Sequence, residues 1–416
     1  MRSIFLCLFL CMVRGVAVAQ LSLEEYREAV ALYSHTLLAA DIAIEGADAT
    51  RTLTRKGYLP TLDFGRDFSL TFRGGEGERS WTWSTRPTIS QNVYSGGRVR
   101  TAVKQAELGY NIAELNAEAE SLAVLYEAES AYWSLSRAEI YHRAMSDYLN
   151  IVRSLRDVVA KRYNEGYISK SDLLQVESRL SDAEYQLSSA KQRYDVSLHR
   201  FNILRGADPT TAVTLTHSIL DTLPMPRRED MEEILLRVPH YRASELNVER
   251  QHLGAKSAQA AFLPQIDVGL YGLLEPKRPH VKGGGLMLDG GVLISFNTPI
   301  FHFGERRAAV RVARSEAQRA EQAHDALRDD ISLDESDGWT NLQLTRTRVD
   351  ATRRNLELAR ENLDISTYSY HEGMATILDV LQAQISWLQI FENAIAALYD
   401  YAMAISSYNY IVGGER

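Results

Sequence analysis

The constraint that shapes everything else is internal: from the mid-90s onward, residues recur 207 positions later. Gly97 falls on Gly304, Arg100 on Arg307, Ala102-Val103 on Ala309-Val310 and Ala106 on Ala313. Far downstream the same step carries Tyr163, Glu165 and Gly166 onto Tyr370, Glu372 and Gly373, Asp172 onto Asp379, Leu174-Gln175 onto Leu381-Gln382, and Gly206 onto Gly413. An offset held without a gap for more than a hundred residues points to rigid helices, because one inserted residue would rotate everything after it by about 100°. Upstream the step becomes 204, where Leu59-Pro60 meets Leu263-Pro264 and Ala39 meets Ala243. The change of three falls where strand loops can absorb it. Two copies are therefore expected, at 20–206 and 231–416, joined by a linker at 207–230 that carries Pro209, Pro224 and Pro226.

Each copy opens with a strand hairpin. Leu62, Phe64, Phe68, Leu70 and Phe72 occupy even positions with Asp63, Asp67, Ser69 and Thr71 between them, the period-two pattern of a half-buried strand. After a turn at Arg73–Glu78 the alternation resumes on Trp81, Trp83, Ile89 and Val93, so strands are expected at about 61–72 and 81–93. The second copy repeats this with Ile266, Val268 and Leu270, then Leu288, Val292, Ile294 and Phe296, at about 265–274 and 286–297. A soluble hairpin packed on its own core would show the same pattern. Two remote hairpins in an otherwise helical chain are better served by a closed membrane barrel, which satisfies every backbone donor and wants one oily face. Four strands cannot enclose a channel, so several chains would have to combine.

The remainder reads as long helix, at about 97–163 and 169–205, then 304–370 and 376–412. No proline lies between Pro87 and Pro209 or after Pro299, and no glycine between Tyr110 and Glu165. Leu173, Val176, Leu180, Ala183, Leu187, Ala190, Tyr194, Ser197 and Phe201 form a stripe at steps of three and four. Val380, Ala383, Trp387, Ile390, Ala394, Ala397, Tyr401, Ala404 and Tyr408 repeat it. That spacing packs knobs into holes against neighbouring helices, in a curved wall or in an ordinary antiparallel coiled coil.

At the start, Arg2, an apolar run Ile4–Val13 and Ala17-Val18-Ala19 read as a secretory leader over residues 1–19. Both cysteines, Cys7 and Cys11, lie inside it, which leaves the exported chain without disulfides or thiol chemistry. A lipoprotein signal ending at Cys11 is the competing reading, although Leu8-Phe9-Leu10 lacks the small residues such a site uses. Loss of Arg2 and Arg14 takes the formal charge from −8 to −10, which argues against nucleic acid as a partner. The ten histidines show no HExxH spacing, no Gly-x-Ser-x-Gly elbow occurs, and the glycine clusters near 75 and 284 read as turns. No enzyme, cofactor or metal site is expected. The acidic run Asp334, Glu335 and Asp337 reads as a solvated helix face.

The order of these parts, in both copies, resembles the TolC-like outer-membrane efflux family (outer membrane factors). The resemblance rests on a short first helix ending in Tyr58-Leu59-Pro60 or Phe262-Leu263-Pro264 before each hairpin, on Thr298-Pro299-Ile300-Phe301-His302-Phe303-Gly304-Glu305-Arg306-Arg307 after the second, and on the Tyr-x-Glu-Gly reversals. It implies a mainly α fold with β: duplicated strand hairpins and long antiparallel coiled-coil helices, assembled as a homotrimer whose twelve-stranded β-barrel joins a periplasmic α-helical barrel. It further implies a passive exit duct in the outer membrane of a Gram-negative-type bacterium, in contact with outer-membrane lipid. The duct would serve a tripartite efflux or type I secretion system, with a periplasmic adaptor (membrane fusion) protein and an inner-membrane RND or ABC-type transporter. A periplasmic coiled-coil scaffold or adhesin without a pore is the rival.

From the resemblance also come the site residues. Asp379 and Gln382 would line the periplasmic constriction, with Gln382 where a second aspartate is usual. Asp172 and Tyr370 would latch the tip by an inter-helix hydrogen bond, and Ala375 replaces a latching arginine. The reversals at Gly166, Tyr167 and Ser169 and at Gly373, Met374 and Thr376 would meet the adaptor. A weaker charge ring and a less tightly locked entrance follow. Independently of family, Ser169 and Thr376 can cap the helices they precede, with Asp172 and Asp379 completing capping boxes.

Overall fold

The computed structural model describes residues 19–72, 79–276 and 285–414; the leader up to Val18, the turn at Arg73–Glu78 and most of the glycine turn near 284 lie outside the described residues. In chain order the elements are β1 (Ala19–Leu21), α1 (Leu23–Tyr33), α2 (His35–Arg55), β2 (Thr61–Phe72), β3 (Arg79–Tyr94), α3 (Arg98–Asn164), α4 (Lys170–Leu204), β4 (Val213–Leu215), α5 (Met231–Arg237), α6 (Pro239–Ala260), β5 (Gln265–Pro276), β6 (Leu286–Asn297), α7 (Glu305–His371) and α8 (Ile377–Ile411). The equal lengths of α3 and α7, 67 residues each, and of α4 and α8, 35 each, are the ungapped repeat in three dimensions. At 1.5 Å per residue the longer pair run about 100 Å. Among the described residues no helix is long and apolar enough to cross a membrane.

Two compact units form, and they do not follow the copies. One holds Leu38–Glu120 and Met231–Ser332, with strands β2, β3, β5 and β6; the other holds the described residues through Leu37, Ser121–Asp230 and the chain from Leu333, with β1 and β4. Each takes half of each copy because the hairpins pair with one another: the sheet order is β2-β3-β5-β6, antiparallel throughout.

Register puts the oily residues together. Leu62 faces Ile89, Phe68 faces Trp83 and Leu70 faces Trp81 across the first hairpin, while Ile89 faces Leu270, and Val268 and Ile266 face Ile294 and Phe296. Even and odd positions thus converge on one face of all four strands. No described residue covers it: Leu62, Phe64, Phe68, Val292, Ile294 and Phe296 are each about two-thirds or more exposed. Asp63, Asp67, Thr82, Ser84, Asn92 and Asp267 line the other face, where Asn92 Nδ2 donates to Asp267 Oδ1 at 2.7 Å.

In the second unit, the α4 and α8 stripes are buried as their spacing requires, from Val176 and Ala183 to Phe201 and from Val380 to Tyr408. The ring of Tyr26 on α1 stacks on Phe201 at 3.9 Å and its hydroxyl donates to the Phe201 carbonyl. An aromatic pair of this kind contributes about 0.5–1.5 kcal/mol beyond its buried area. Two features depart from the sequence expectations. The single first helix is broken at Ser34 into α1 and α2. The linker carries a strand, β4, pairing parallel with β1 through Gln20 and Thr214.

Glu335 overturns the reading of its acidic run. It is 2 % exposed, accepts Arg228 Nε at 3.0 Å and Nη2 at 2.8 Å, and takes the Tyr408 hydroxyl at 3.2 Å. Only Asp334 and Asp337 face solvent. The arginine that changes the environment comes from the linker, 107 residues away. Arg228 holds the Glu335 carboxyl below the usual glutamate range against the opposing effect of burial, while burial and Glu335 push the Tyr408 phenol up to about 12.

Candidate functional site

The reversals α3–α4 and α7–α8 share one construction. Each outbound helix ends at a glycine in left-handed conformation, Gly166 at φ 78° and Gly373 at φ 77°. The amide of Gly166 donates to Tyr163 O and that of Tyr167 to Arg162 O; Gly373 and Met374 repeat this with Tyr370 O and Ser369 O. This is the paired closure that satisfies the last carbonyls of a helix. A Cβ on either glycine would meet nothing within 4 Å, so backbone conformation, not space, selects the residue. Each return helix then starts in a capping box. Ser169 N and Oγ donate to Asp172 Oδ2 at 3.1 and 3.0 Å, and Thr376 N and Oγ1 donate to Asp379 Oδ2 at 2.8 and 2.7 Å. The side chain and then the amide of Thr376 draw the Asp379 carboxyl below the usual aspartate range.

Asp379 and Gln382, one turn apart, are both exposed, while Val380, Ala383 and Gln384 between and after them are buried. Tyr167 and Met374 project from the two turns, 78 % and 71 % exposed. Beneath the turns Leu155, Val159, Val176, Tyr370, Ile377 and Val380 form one apolar cluster, so the ends of all four helices pack together.

Within one chain no hydrogen bond joins Asp172 to Tyr370. Asp172 is engaged with Ser169, whereas the Tyr370 hydroxyl is buried. A partner three residues away in the same turn is reached at little entropic cost, and it wins over a phenol on another helix. A polar contact between the reversals comes from Arg162, in the last turn of α3. Its Nη1 and Nη2 donate to the carbonyls of Tyr370 and His371 at 3.2 and 2.9 Å, and its guanidinium lies 4.8 Å from the Tyr370 ring centroid. Burial raises the Tyr370 pKa, opposed by Arg162. Sequence reasoning missed Arg162. A basic residue in a helix's last turn signals a role with terminal carbonyls, but not that they belong to another helix. Gln384, 1 % exposed with Oε1 unpaired, also gave no signal.

An uncovered apolar sheet and a tip built from two like reversals are now in place. The sequence profile described as "Outer membrane efflux protein" matches residues 26–206 and 231–408. The chain belongs to the outer membrane efflux protein family. The match leaves out residues 207–230 between its two segments. This efflux protein is 23 % identical to Protein CyaE of Bordetella pertussis over 87 % of this chain and 78 % of that protein. It is 20 % identical to outer membrane protein TolC of Escherichia coli over 83 % of this chain and 73 % of that one. Among solved structures, that of CusC matches with a TM-score of 0.84 at 16 % identity, covering 94 % of this chain and 92 % of CusC. The efflux protein is a transport channel of the bacterial outer membrane.

Proposed function

We propose that three copies of this chain close into one duct that conducts cargo passively, and that the tip is its periplasmic entrance. The observation that carries the reading is the sheet: an exposed apolar face with two free edges, β2 and β6, among the described strands. Unpaired edges are intolerable in a bilayer, and one sheet of four strands cannot close on itself. Three such sheets joined edge to edge give twelve strands. A strand of 12 residues extends about 40 Å, and tilted by about 40° it spans roughly the 25–30 Å apolar band of an outer-membrane barrel. A coiled-coil scaffold would have no use for that face.

Asp379 would then stand in a ring of three carboxylates at the entrance, attracting cations, with the neutral Gln382 rings one turn further along the return helices. Tyr167, Met374 and the flanking Gly166, Ser169, Gly373 and Thr376 would meet a periplasmic adaptor, which links the duct to an inner-membrane RND or ABC-type transporter. Arg162 would serve as the latch in place of the Asp172–Tyr370 bond. The test is extraction and reconstitution. The expected result is a trimer that needs detergent and conducts ions in a planar bilayer; a monomer released without detergent ends the reading.

A further inference from the structure

The repeat supplies a contact inside the chain that can be compared with its counterpart between chains. Where β3 passes into α3, Ser95 is buried and Gly96 and Gly97 are both left-handed, at φ 63° and 86°. This junction is pressed against the end of α6: a Cβ on Gly96 would lie 2.6 Å from Leu263 Cβ and 2.9 Å from the Ala260 carbonyl oxygen. There is no room for any side chain, and a backbone oxygen cannot swing aside.

The counterpart of Gly96 at the step of 207 is Phe303. It keeps the left-handed backbone, φ 43° before Gly304 at 89°, and is the only non-glycine residue with positive φ among those described. Among the described residues its ring contact is with the neighbouring Phe301. Phe303 and Ile300 are each 93 % exposed, Phe301 is 71 % exposed, and the rings of Phe301 and Phe303 pack edge to face at 4.7 Å. The counterpart of the α6 end at the step of 204 is Lys56–Leu59, and it too is uncovered, with Tyr58 and Leu59 at 52 % and 59 %. The whole of α2 has no buried residue, whereas α6 buries Pro239, Ala243, Leu253, Ala255 and Ala260. The reason lies in the neighbours. α6 touches α3 through Gln105 to the Arg250 carbonyl and α7 through His252 to Glu321, while α2 touches α3 through Arg55 and Glu107. The missing member of the pattern is a contact of α2 with an α7 that is not its own.

We infer that Phe303 is a wedge between successive copies of this chain, seated against Tyr58 and Leu59 of a second copy, and that it holds this interface wider than the matching contact within a copy. The inference rests on the trimeric duct proposed above. Where one added carbon already overlaps backbone, a phenyl ring forbids the same approach. The ring of junctions at the foot of the barrel is therefore three tight contacts alternating with three opened ones, and the left-handed strain at Phe303 is sustained by what the ring fills.

Two measurements on the full-length protein in outer membranes test it. Leu59→Cys with Phe303→Cys, oxidised in place, is expected to give covalent oligomers on a non-reducing gel that neither single variant gives. A wild-type trimer without that cross-link overturns the wedge and leaves the duct reading standing, whereas a wild-type monomer overturns both. The temperature at which the detergent-extracted trimer dissociates is expected to rank Phe303→Gly above wild type and Phe303→Ala below it. Glycine relieves strain and permits the close contact; alanine keeps the obstructing Cβ and empties the space of the ring. Wild type ranking above both variants would mark the ring as a lipid anchor and overturn the wedge.

Discussion

One oxygen of Asp379 accepts from the amide and hydroxyl of Thr376, and the exposed carboxylate keeps the other toward solvent. It caps the return helix and carries a negative charge. Asp379→Ala removes both, and the expected outcome is loss of cation preference and of block by divalent ions in single-channel recordings; unchanged selectivity removes Asp379 from the entrance. Because Thr376 lowers its pKa, the carboxylate stays ionised through mildly acid pH, so cation preference should fade only below the ordinary aspartate value of about 3.9. Glu335 offers a second acid-sensitive group with a different readout. Its folded pKa is depressed, so its contribution to stability is complete above the unfolded value near 4.3 and is lost as pH falls through the lower folded value. Glu335→Gln should abolish that part of the acid sensitivity and cost about 1–2 kcal/mol at neutral pH, since solvent screens the Arg228 side. Thermal unfolding of wild type and variant across pH checks both.

At the scale of elements, glycines at like-looking turns should respond differently to one added carbon. Gly166→Ala meets only the left-handed backbone, about 1–2 kcal/mol, and nothing within 4 Å. Gly96→Ala meets that cost and the Ala260 carbonyl as well, so its loss of thermal stability should be clearly larger. Legibility in the sequence divides along the same line between local and remote. Strand alternation, the stripes on α4 and α8, the terminating glycines and the Ser169 and Thr376 caps are set by neighbours a few residues away, and each was readable. Arg162 against the Tyr370 and His371 carbonyls, Arg228 against Glu335, and the β1–β4 pair join residues far apart in the chain. Nothing in their own segments names the partner, which is why Glu335 reads as solvated from the sequence alone. The break at Ser34 was missed for a related reason, as both sides of it are good helix.

For the molecule as a whole, the exchange of halves between the compact units has its origin in the sheet: each hairpin is completed by the other copy's hairpin. β3 finds its second neighbour in β5, and α3 meets α8 through Tyr141 and Glu392 at 2.5 Å. A gene severed in the linker at Pro226, each part given its own leader, should therefore behave as neither one protein nor two. Produced singly, each fragment should be degraded in the periplasm, although it contains a complete copy of the ancestral unit. Produced together, the fragments should complement and restore channels detectable by conductance. The duplication that built this chain has become irreversible in its physics: the descendants of two equal partners can still meet as strangers, but neither can live alone.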